Sequence, residues 1–331
     1  MPPVPRNIAV EPAIRRRPRT EVAQHSKRTD GPGKLATVSI VIPTFNRAAP
    51  AVAAVTAALA QTHPRTVVIV IDDGSTDGTR KAMSRFFDKD RLVYVRLARN
   101  MGAAAARNVG ILMSATDAVT FHDSDDIPHR EKVLRQARLL GDPLDTVQPI
   151  RKWTRKNRVG AVLTHHELLL ADGCRVAIRR ALPLTEDFGP DLQQVSGVPG
   201  DWTHVNAGLF HRGVFERLGG FSDGIDGARA FCNRLIRAGE ELRVIPEILL
   251  TKIESPETLT KPAVPGHADA GHAQAAQRRT GQPERVPIDL PDLEIAEIVN
   301  PGRCGVSRAL STPATRGRLM TALSRGAVRV A

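Results

Sequence analysis

The feature that most constrains the fold is an alternation of short apolar runs with helical segments between residues 38 and 121. "VSIVI", "TVVIVID", "RLVYVRL" and "DAVTF" are rich in apolar and β-branched residues, as strands buried on both faces usually are. Between them, "AAPAVAAVTAALAQ", "TRKAMSRFF" and "AAAARNVGILMSA" have the composition and spacing of helices. This alternation predicts right-handed βαβ units, and therefore an α/β fold with a mainly parallel, twisted sheet flanked by helices.

The remainder of the chain divides into further regions by composition. Residues 1–36 are rich in proline and arginine without periodicity, which predicts a disordered basic arm. Strand-like and helix-like runs continue as far as "LRVIPEILL", so we expect the globular domain to span residues 37–254, in halves of 37–140 and 141–254. Residues 255–331 are rich in proline, glycine and alanine, and no acidic residue follows Pro301. This pattern predicts a linker followed by a basic C-terminal tail.

Charge and composition exclude several classes of protein. The formal net charge is +12, and the basic residues are concentrated at the two ends, which favours tails that meet an anionic surface over a basic catalytic cleft. The single tyrosine and the lack of a recognition motif predict no nucleic-acid partner. Three cysteines without CxxC spacing predict a reduced compartment and no structural zinc site. With no secretory signal and no long apolar run, we expect a cytoplasmic protein.

Three polar clusters follow predicted strands. "PTFNR" follows the first, "DDGSTDGT" the second and "DSDD" the fourth. Because ligands of open parallel sheets bind beyond the carboxyl ends of the strands, we expect the clusters to meet at one edge. Each cluster alone also fits a solvated turn or a helix cap. Neither acidic cluster fits a calcium loop, since Ser84 and Pro128 stand where a glutamate and a glycine are needed.

Taken together and in order, "VSIVIPTFNR", "VVIVIDDGSTDGT", "NMGAAAARNVGI" and "VTFHDSDDIP" resemble the family 2 glycosyltransferases of the GT-A fold. The resemblance is specific over residues 38–140 and looser to about residue 250. It implies a hexosyltransferase-type enzyme that moves a sugar from a nucleotide-diphosphate donor to a hydroxyl acceptor, with inversion. It also implies a divalent cation, Mg²⁺ or Mn²⁺, which hard oxygen ligands suit.

The resemblance also implies roles for individual residues. Asp125 would be the direct metal ligand, Asp123 would lie near the ribose or the metal's waters, and Asp126 would support the sugar or the loop. Arg107 would contact the diphosphate or the base, and its alternative is an exposed helical arginine. A uridine donor is favoured, because uracil offers an N–H to Asp73. The nucleotide-sugar site implied in this way comprises Pro43, Thr44, Asn46, Asp72, Asp73, Asn100, Gly102, Arg107 and Asp123.

The general base is not fixed by the resemblance. "VNAGLFHRGVFERLGGF" is similar to the family's acceptor-side segment, but the usual Glu-Asp pair is replaced by Gly227 and Ala228. Inverting transfer needs a carboxylate near the acceptor hydroxyl, and the candidates are Asp226 and Asp201. The alternative is a catalytically silent relative that binds a nucleotide sugar or serves as a scaffold. The adjacent His165 and His166 fit a strand better than a catalytic role.

The C-terminal tail has an amphipathic pattern. Leu319, Ala322 and Leu323 recur at helical spacing, and Arg318 and Arg325 fall on another face. Such a helix can lie at the inner face of a membrane, with its arginines on anionic headgroups. The alternatives are that the apolar stripe packs back on the catalytic domain or that the tail is disordered. A helix at the membrane surface would suit an enzyme with a lipid-linked acceptor.

Overall fold

The computed structural model describes residues 35–124, 126–140, 159–179, 204–223, 227–253, 285–305 and 311–324. Within these residues ten strands form one sheet, in the order β10-β3-β2-β1-β4-β8-β6-β9-β5, with β7 paired to β6. The strands are β1 (Val38–Thr44), β2 (Thr66–Asp72), β3 (Leu92–Leu97), β4 (Ala118–Phe121), β5 (Asp126–Pro128), β6 (Val159–Leu169), β7 (Arg175–Ile178), β8 (Gly208–His211), β9 (Glu241–Ile253) and β10 (Ile295–Val299). The helices are α1 (Ala48–Leu59), α2 (Thr79–Met83), α3 (Ala103–Met113), α4 (Lys132–Leu140), α5 (Arg212–Leu218), α6 (Gly227–Arg237) and α7 (Pro313–Ser324).

The predicted fold class is confirmed. The four central strands, β3, β2, β1 and β4, are all parallel. Outside them, β8 and β10 add to the sheet in the antiparallel direction, and β6 and β9 form a further parallel pair. The parallel character therefore belongs mainly to the half of the domain that carries the βαβ units, where strands in one direction must be joined by helical crossovers.

The central strands are buried on both faces because their alternate side chains serve two cores. Val41, Ile69 and Val93 join the core beneath α3, whereas Ile40 and Val70 join the core beneath α1. This is the period-two division expected for a strand between two helical layers. The α3 helix packs so closely on β1 that a Cβ at position 110 would lie 2.3 Å from a methyl carbon of Val41, which explains the glycine there.

Five phenylalanines join the second half of the domain to β4. Their rings lie in one group with neighbouring centroids 5.0 to 6.4 Å apart, and they come from β4, β8, α5, the loop after α5 and α6. All are buried, so the group forms a continuous apolar contact between segments distant in sequence. Its members are Phe121, Phe210, Phe215, Phe221 and Phe231.

The C-terminal part of the chain contributes to this fold where it is described. β10 pairs antiparallel with β3, and Glu297 accepts two hydrogen bonds from Arg80, at 2.9 and 2.8 Å. In α7, Leu319 is completely buried, and Ala322 and Leu323 pack against the same core. Residues 285–305 and 311–324 thus form a strand and a helix where a linker and tail were expected.

The apolar stripe of the tail faces the domain, which corresponds to the alternative in which it packs back on the fold. Leu319 begins the stripe for which contact with a membrane surface was one interpretation, and its burial makes it unavailable for that contact. Arg325 and the residues after it lie outside the described residues, as do residues 1–34 of the expected arm. No helix in the described segments combines the length and apolar character needed to cross a membrane.

Candidate active site

The strand register brings the three polar clusters to one edge of the sheet. Thr44 pairs with Asp72 at the ends of β1 and β2, and Phe121 at the end of β4 pairs with Val41. Just beyond these ends, the N–H of Asp73 donates to the carbonyl of Thr44 at 2.8 Å. The loops that follow β1, β2 and β4 therefore begin side by side.

Asn46 ties the first loop to the second. Its φ of +52° is in the left-handed region, which asparagine tolerates better than most residues. Its backbone N–H donates to Ser75 Oγ at 2.9 Å, and its Oδ1 accepts the N–H of Thr76 at 2.8 Å. The side chain of Asn46 thus holds the two loops together. Nearby, Pro43 is half-buried, and the buried Thr44 Oγ1 makes no hydrogen bond to any described residue.

Both oxygens of the Asp72 side chain accept hydrogen bonds from other residues of the protein. Its side chain is fully buried, Oδ1 accepts the N–H of Ser75 at 2.8 Å, and Oδ2 accepts the hydroxyl of Tyr94 at 2.5 Å. Burial and this carboxylate together raise the pKa of Tyr94, so the phenol remains a donor. Asp72 shapes the turn after β2, and its oxygens are directed away from the loop surface towards these two donors.

Asp73 joins the second loop to the start of α3. Its two oxygens accept the backbone N–H groups of Met101 and Gly102, both at 2.8 Å. Burial, reinforced by the neighbouring Asp72, raises the pKa of Asp73 to about 6, against the lowering effect of the two hydrogen bonds. Asp73 is thus a buried carboxyl group whose pKa lies well above that of an exposed aspartate.

The turn at Gly74 explains how Asp73 reaches α3. Gly74 has a φ of +74°, and a Cβ there would lie 2.5 Å from the carbonyl carbon of Arg99, so only glycine fits. Gly102, with a φ of +91°, precedes α3, and its N–H also donates to the Oδ1 of Asn100 at 3.0 Å. Asn100 is exposed, so Asn100 and Gly102 form an open rim next to Asp73.

Arg107 and Asp123 form an ion pair that joins α3 to the third loop. One guanidinium nitrogen of Arg107 donates to both carboxylate oxygens of Asp123, at 2.7 and 2.8 Å. Burial alone would raise the pKa of Asp123, but the charges of Arg107 and Lys252 and hydrogen bonds from Asn206 and Arg107 hold it below its usual range. The side chain of Arg107 is only 15% exposed, so the alternative of a solvated helical arginine does not apply.

Two further buried charged residues, Asp126 and Lys132, lie beneath the same loop, and the sequence did not predict that they lie together. Asp126 is 4% exposed and accepts a hydrogen bond from the amide of Asn206. Lys132 is completely buried and donates to Thr120 Oγ1 at 3.1 Å. Burial lowers the pKa of Lys132 to about 7, although Asp126 opposes the shift. In the sequence Lys132 resembles any helical lysine, so no local signal marks it.

His122 lies against this group. Its ring is completely buried, and neither nitrogen makes a hydrogen bond to a described residue. Burial and the nearby charge of Lys132 hold the pKa of His122 well below its usual range, so the ring is neutral. His165 and His166 lie buried in β6, as their strand interpretation predicted.

The predicted metal ligand and the candidate bases lie outside the described residues. They are Asp125, Asp201 and Asp226, and their assignments stay predictions. The described residues contain no group of three metal-ligating side chains. Gly227, which stands where the family's acidic pair would begin, is described. It is the first residue of α6, and a Cβ there would lie 2.1 Å from the carbonyl oxygen of Ser222. A side chain at position 227 would therefore require the backbone to move.

Comparison with known proteins decides the family. A family model described as glycosyl transferase family 2 matches residues 39–219, which is more than half of the 331 residues. The chain belongs to the family 2 glycosyltransferases. The match covers β1 to β4 with all three polar clusters and extends through α5.

Several curated glycosyltransferases are similar over about a third of the chain. An uncharacterized glycosyltransferase of Rickettsia felis is 37% identical over 103 residues, which are 31% of this chain and 17% of that protein. One from Haemophilus influenzae is 34% identical over 104 residues, 31% of this chain and 42% of its own length. The putative teichuronic acid biosynthesis glycosyltransferase TuaG of Bacillus subtilis is 35% identical over 104 residues, 31% and 41% of the two chains. The chain thus spans less than half the length of these relatives.

Solved glycosyltransferase structures are also similar to the chain. A mannosyltransferase of Pyrobaculum calidifontis, in complex with GDP-Man and Mn²⁺, is 22% identical with a TM-score of 0.48, covering 68% of this chain and 59% of that one. TarS of S. aureus, in complex with UDP-GlcNAc, is 16% identical with a TM-score of 0.49, covering 66% and 59%.

Proposed function

We propose that this glycosyltransferase transfers a sugar from a nucleotide-diphosphate donor, of which a UDP-sugar is favoured, to a hydroxyl acceptor, with inversion and with Mg²⁺ or Mn²⁺. The observation that carries the proposal is the set of bonds that joins the three loops. Asn46 holds the first loop to the second, Asp73 holds the second to α3, and Arg107 of α3 holds Asp123 of the third. The edge of the sheet is thus a preorganised polar site.

The nucleobase would bind beside Asp73 and Thr44. Each carboxylate oxygen of Asp73 accepts one backbone N–H and retains a lone pair, so Asp73 has capacity left for an N–H of a base such as uracil. The buried hydroxyl of Thr44 has no hydrogen-bond partner among the described residues, and a bound base would supply one. Both features support base binding at this end of the sheet.

The loop of residues 123–126 fits a hard divalent cation, because its three acids supply carboxylate oxygens. Asp123 is kept ionised by the neighbouring positive charges, and Arg107 already serves as its counter-ion. This arrangement favours Asp125 as the direct ligand and gives Asp123 a contact through the metal's waters or the ribose. A cation held there would stabilise the negative charge on the departing diphosphate.

A carboxylate must accept the proton of the acceptor hydroxyl, and the candidates are Asp226 and Asp201. The two positions of the family's usual acidic pair cannot supply it, since they are Gly227 and Ala228, and position 227 has no space for a side chain. The same observation supports a second candidate function, in which the chain binds a nucleotide sugar without transferring it. The two candidate functions share the donor site and differ only in whether the bound sugar is transferred.

Equilibrium binding tests the donor site independently of turnover. Calorimetric titrations with UDP, GDP, CDP and ADP, each with Mn²⁺ and again with EDTA, should show UDP binding most tightly and the affinity falling when the metal is removed. Binding of none of the four diphosphates in Mn²⁺ would contradict the proposal. Tighter binding of GDP than of UDP would retain a nucleotide-sugar site and reject the uridine donor.

A further inference from the structure

A segment beyond the range of the family match contacts both sides of the candidate base-binding site. We call this segment, residues 285–305, the C-terminal strap; the match to the family model ends at residue 219. In the strap, β10 pairs antiparallel with β3, with Ile298 opposite Val95. β3 lies next to β2, which ends at Asp72. The strap is therefore added to the sheet on the side of the second polar loop.

On one side of Asp73, the strap holds the chain that leads into α3. The backbone N–H of Ala98 donates to the carbonyl of Glu294 at 2.9 Å, just beyond the last paired residues of β3 and β10. Leu293, next to Glu294 in the strap, is 2% exposed and belongs to the core beneath α3. Residues 98–102, which connect β3 to α3, therefore start from a point that the strap fixes.

On the other side, the strap holds the start of α2. Glu297 accepts one hydrogen bond from Arg80 at each carboxylate oxygen, at 2.9 and 2.8 Å, which is the bidentate geometry of a strong ion pair. The side chain of Glu297 is only 10% exposed. Because α2 begins at Thr79, directly after the second loop, this ion pair fixes the end of that loop. Arg96, opposite Glu297 in the strand register, donates to the carbonyl of Ser75 at 2.9 Å in the same loop.

The side chain of Asp73 connects these two sides. Asp73 belongs to the second loop, and it accepts the N–H groups of Met101 and Gly102, both at 2.8 Å. The neighbouring Gly74 lies so close to the backbone of Arg99 that a Cβ would be 2.5 Å from its carbonyl carbon. The length of the two hydrogen bonds depends on how far apart the loop and the start of α3 lie, and the strap contacts both segments. The strap thus helps to set that separation.

We propose that the C-terminal strap is part of the nucleotide-binding site, and that Glu297 is a positioning residue which, through Arg80, holds the second loop against the start of α3. The proposal rests on the proposed function, in which Asp73 receives the base. It assigns a determinant of donor binding to a segment outside the family match. Glu297 itself contacts no part of the donor.

Uridine binding tests the proposal, because uridine carries no phosphate and needs no metal. Glu297→Gln keeps the shape of the side chain and removes its charge. It should weaken uridine binding about fivefold at pH 7.5, since a partly exposed ion pair contributes at about that level. Arg80→Gln should have the same effect, and the double variant should lose no more than either single variant, because the two residues act as one pair. Titrations followed by nuclear magnetic resonance measure the affinities.

The pH profile distinguishes positioning from a general loss of stability. The hydrogen bonds from Met101 and Gly102 lower the pKa of Asp73, so longer bonds should move that pKa above about 6. The midpoint of uridine binding should therefore shift to higher pH in Glu297→Gln.

The direction of this shift is diagnostic. Removing the negative charge of Glu297 would by itself lower the pKa of Asp73, so an upward shift requires a change in geometry. The charge of Asp72 beside it and the ion pair of Arg99 with Asp292 are the same in the variant. A variant that is merely less stable would keep the midpoint of the wild-type protein.

Glu240→Gln is the matched control. Glu240 also accepts a bidentate pair of hydrogen bonds from one arginine, Arg217, at 2.7 and 2.6 Å, and its side chain is 11% exposed. This pair joins α5 to the residue before β9. The control should lose stability to a similar extent and keep both the uridine affinity and the midpoint of the wild-type protein.

Wild-type affinity and midpoint in both Glu297→Gln and Arg80→Gln would overturn the inference alone. Equal losses of affinity in Glu240→Gln, or additive losses in the double variant, would also overturn it. If the wild-type protein binds neither uridine nor UDP with Mn²⁺, the proposed function fails and the inference falls with it.

Discussion

Neighbouring carboxylates at the sheet edge differ in what remains available for a ligand. Asp72 and Asp73 are adjacent in the chain and both buried, yet Asp72 is turned towards Tyr94 and Ser75 inside the protein. Asp73 lies at the rim formed by Asn100 and Gly102, with its pKa raised to about 6. The contrast shows that Asp72 shapes the loop, and it supports the proposal that Asp73 contacts the donor.

Binding of uridine should therefore depend on pH. The pKa of Asp73 in the folded protein is raised to about 6, so below this pH the carboxyl is protonated and becomes a weaker, uncharged acceptor for the N–H of the base. The affinity for uridine should fall as the pH is lowered from 7.5 to 5, with a midpoint near 6. Uridine carries no phosphate, so metal binding does not affect the measurement. A flat profile across this range would contradict base binding at Asp73.

The two candidate bases can be separated by steady-state kinetics. Asp226→Asn should lower kcat by far more than it changes the KM for the donor, because a general base acts mainly in the transition state. Asp201→Asn is the matched comparison. A normal kcat in Asp226→Asn together with a lost kcat in Asp201→Asn would transfer the role to Asp201. Normal values in both would reject both candidates.

The elements that the sequence predicted well are those whose pattern is local. β1 to β4 are runs of β-branched residues buried on both faces, so their positions follow from hydrophobicity alone. β6, β7, α5, α6 and β9 were also expected at about their observed places. β10 was not expected, because its place is fixed by pairing with β3, far away in the chain. For α7, the helical spacing from Leu319 was recognised, but the start of the helix at Pro313 was not. The ion pair of Glu297 with Arg80 is an example that no local pattern could indicate.

At the candidate site, too, local sequence patterns predict which residues lie together but not which contacts they make. The strand ends predicted that Thr44, Asp73 and Asp123 share one edge, since parallel strands present their carboxyl ends together. The hydrogen-bond partners of the carboxylate oxygens depend on where α3 and the turn before β8 pack. The pairing of Arg107 with Asp123, and the contact of Asn206 with Asp126, arise from that packing and not from motif spacing.

The α7 helix offers a test of whether the C-terminal part of the chain stabilises the domain. Leu319→Ala should lower the free energy of unfolding by about 2–5 kcal/mol, because it leaves a cavity in the core. Met320→Ala is the matched control, since Met320 is 52% exposed on the same helix and should change stability little. Urea denaturation of both variants makes the comparison. Equal stability of the two would show that α7 does not pack on the core.

At the scale of the whole molecule, the site joins segments from both halves of the domain. The phenylalanine group holds β8, α5 and α6 against β4, and Asn206 extends that contact to the acidic loop. Asp126 of the acidic loop therefore takes a hydrogen bond from the acceptor-side half. An isolated fragment of residues 37–140 would lack Asn206, Lys252 and four of the five phenylalanines, so we expect the protein to act as a single unit.

The most direct test of the central claim is the release of nucleoside diphosphate from a panel of nucleotide sugars by the chain of 331 residues, measured with Mn²⁺, with EDTA, and after Mn²⁺ is restored. Slow hydrolysis of the donor by water makes the assay independent of the unknown acceptor. We predict release from at least one UDP-sugar in Mn²⁺, its loss in EDTA and in Asp125→Asn, and its return with added Mn²⁺. Undiminished release in EDTA, or in a folded Asp125→Asn variant, would contradict metal-dependent transfer at this site.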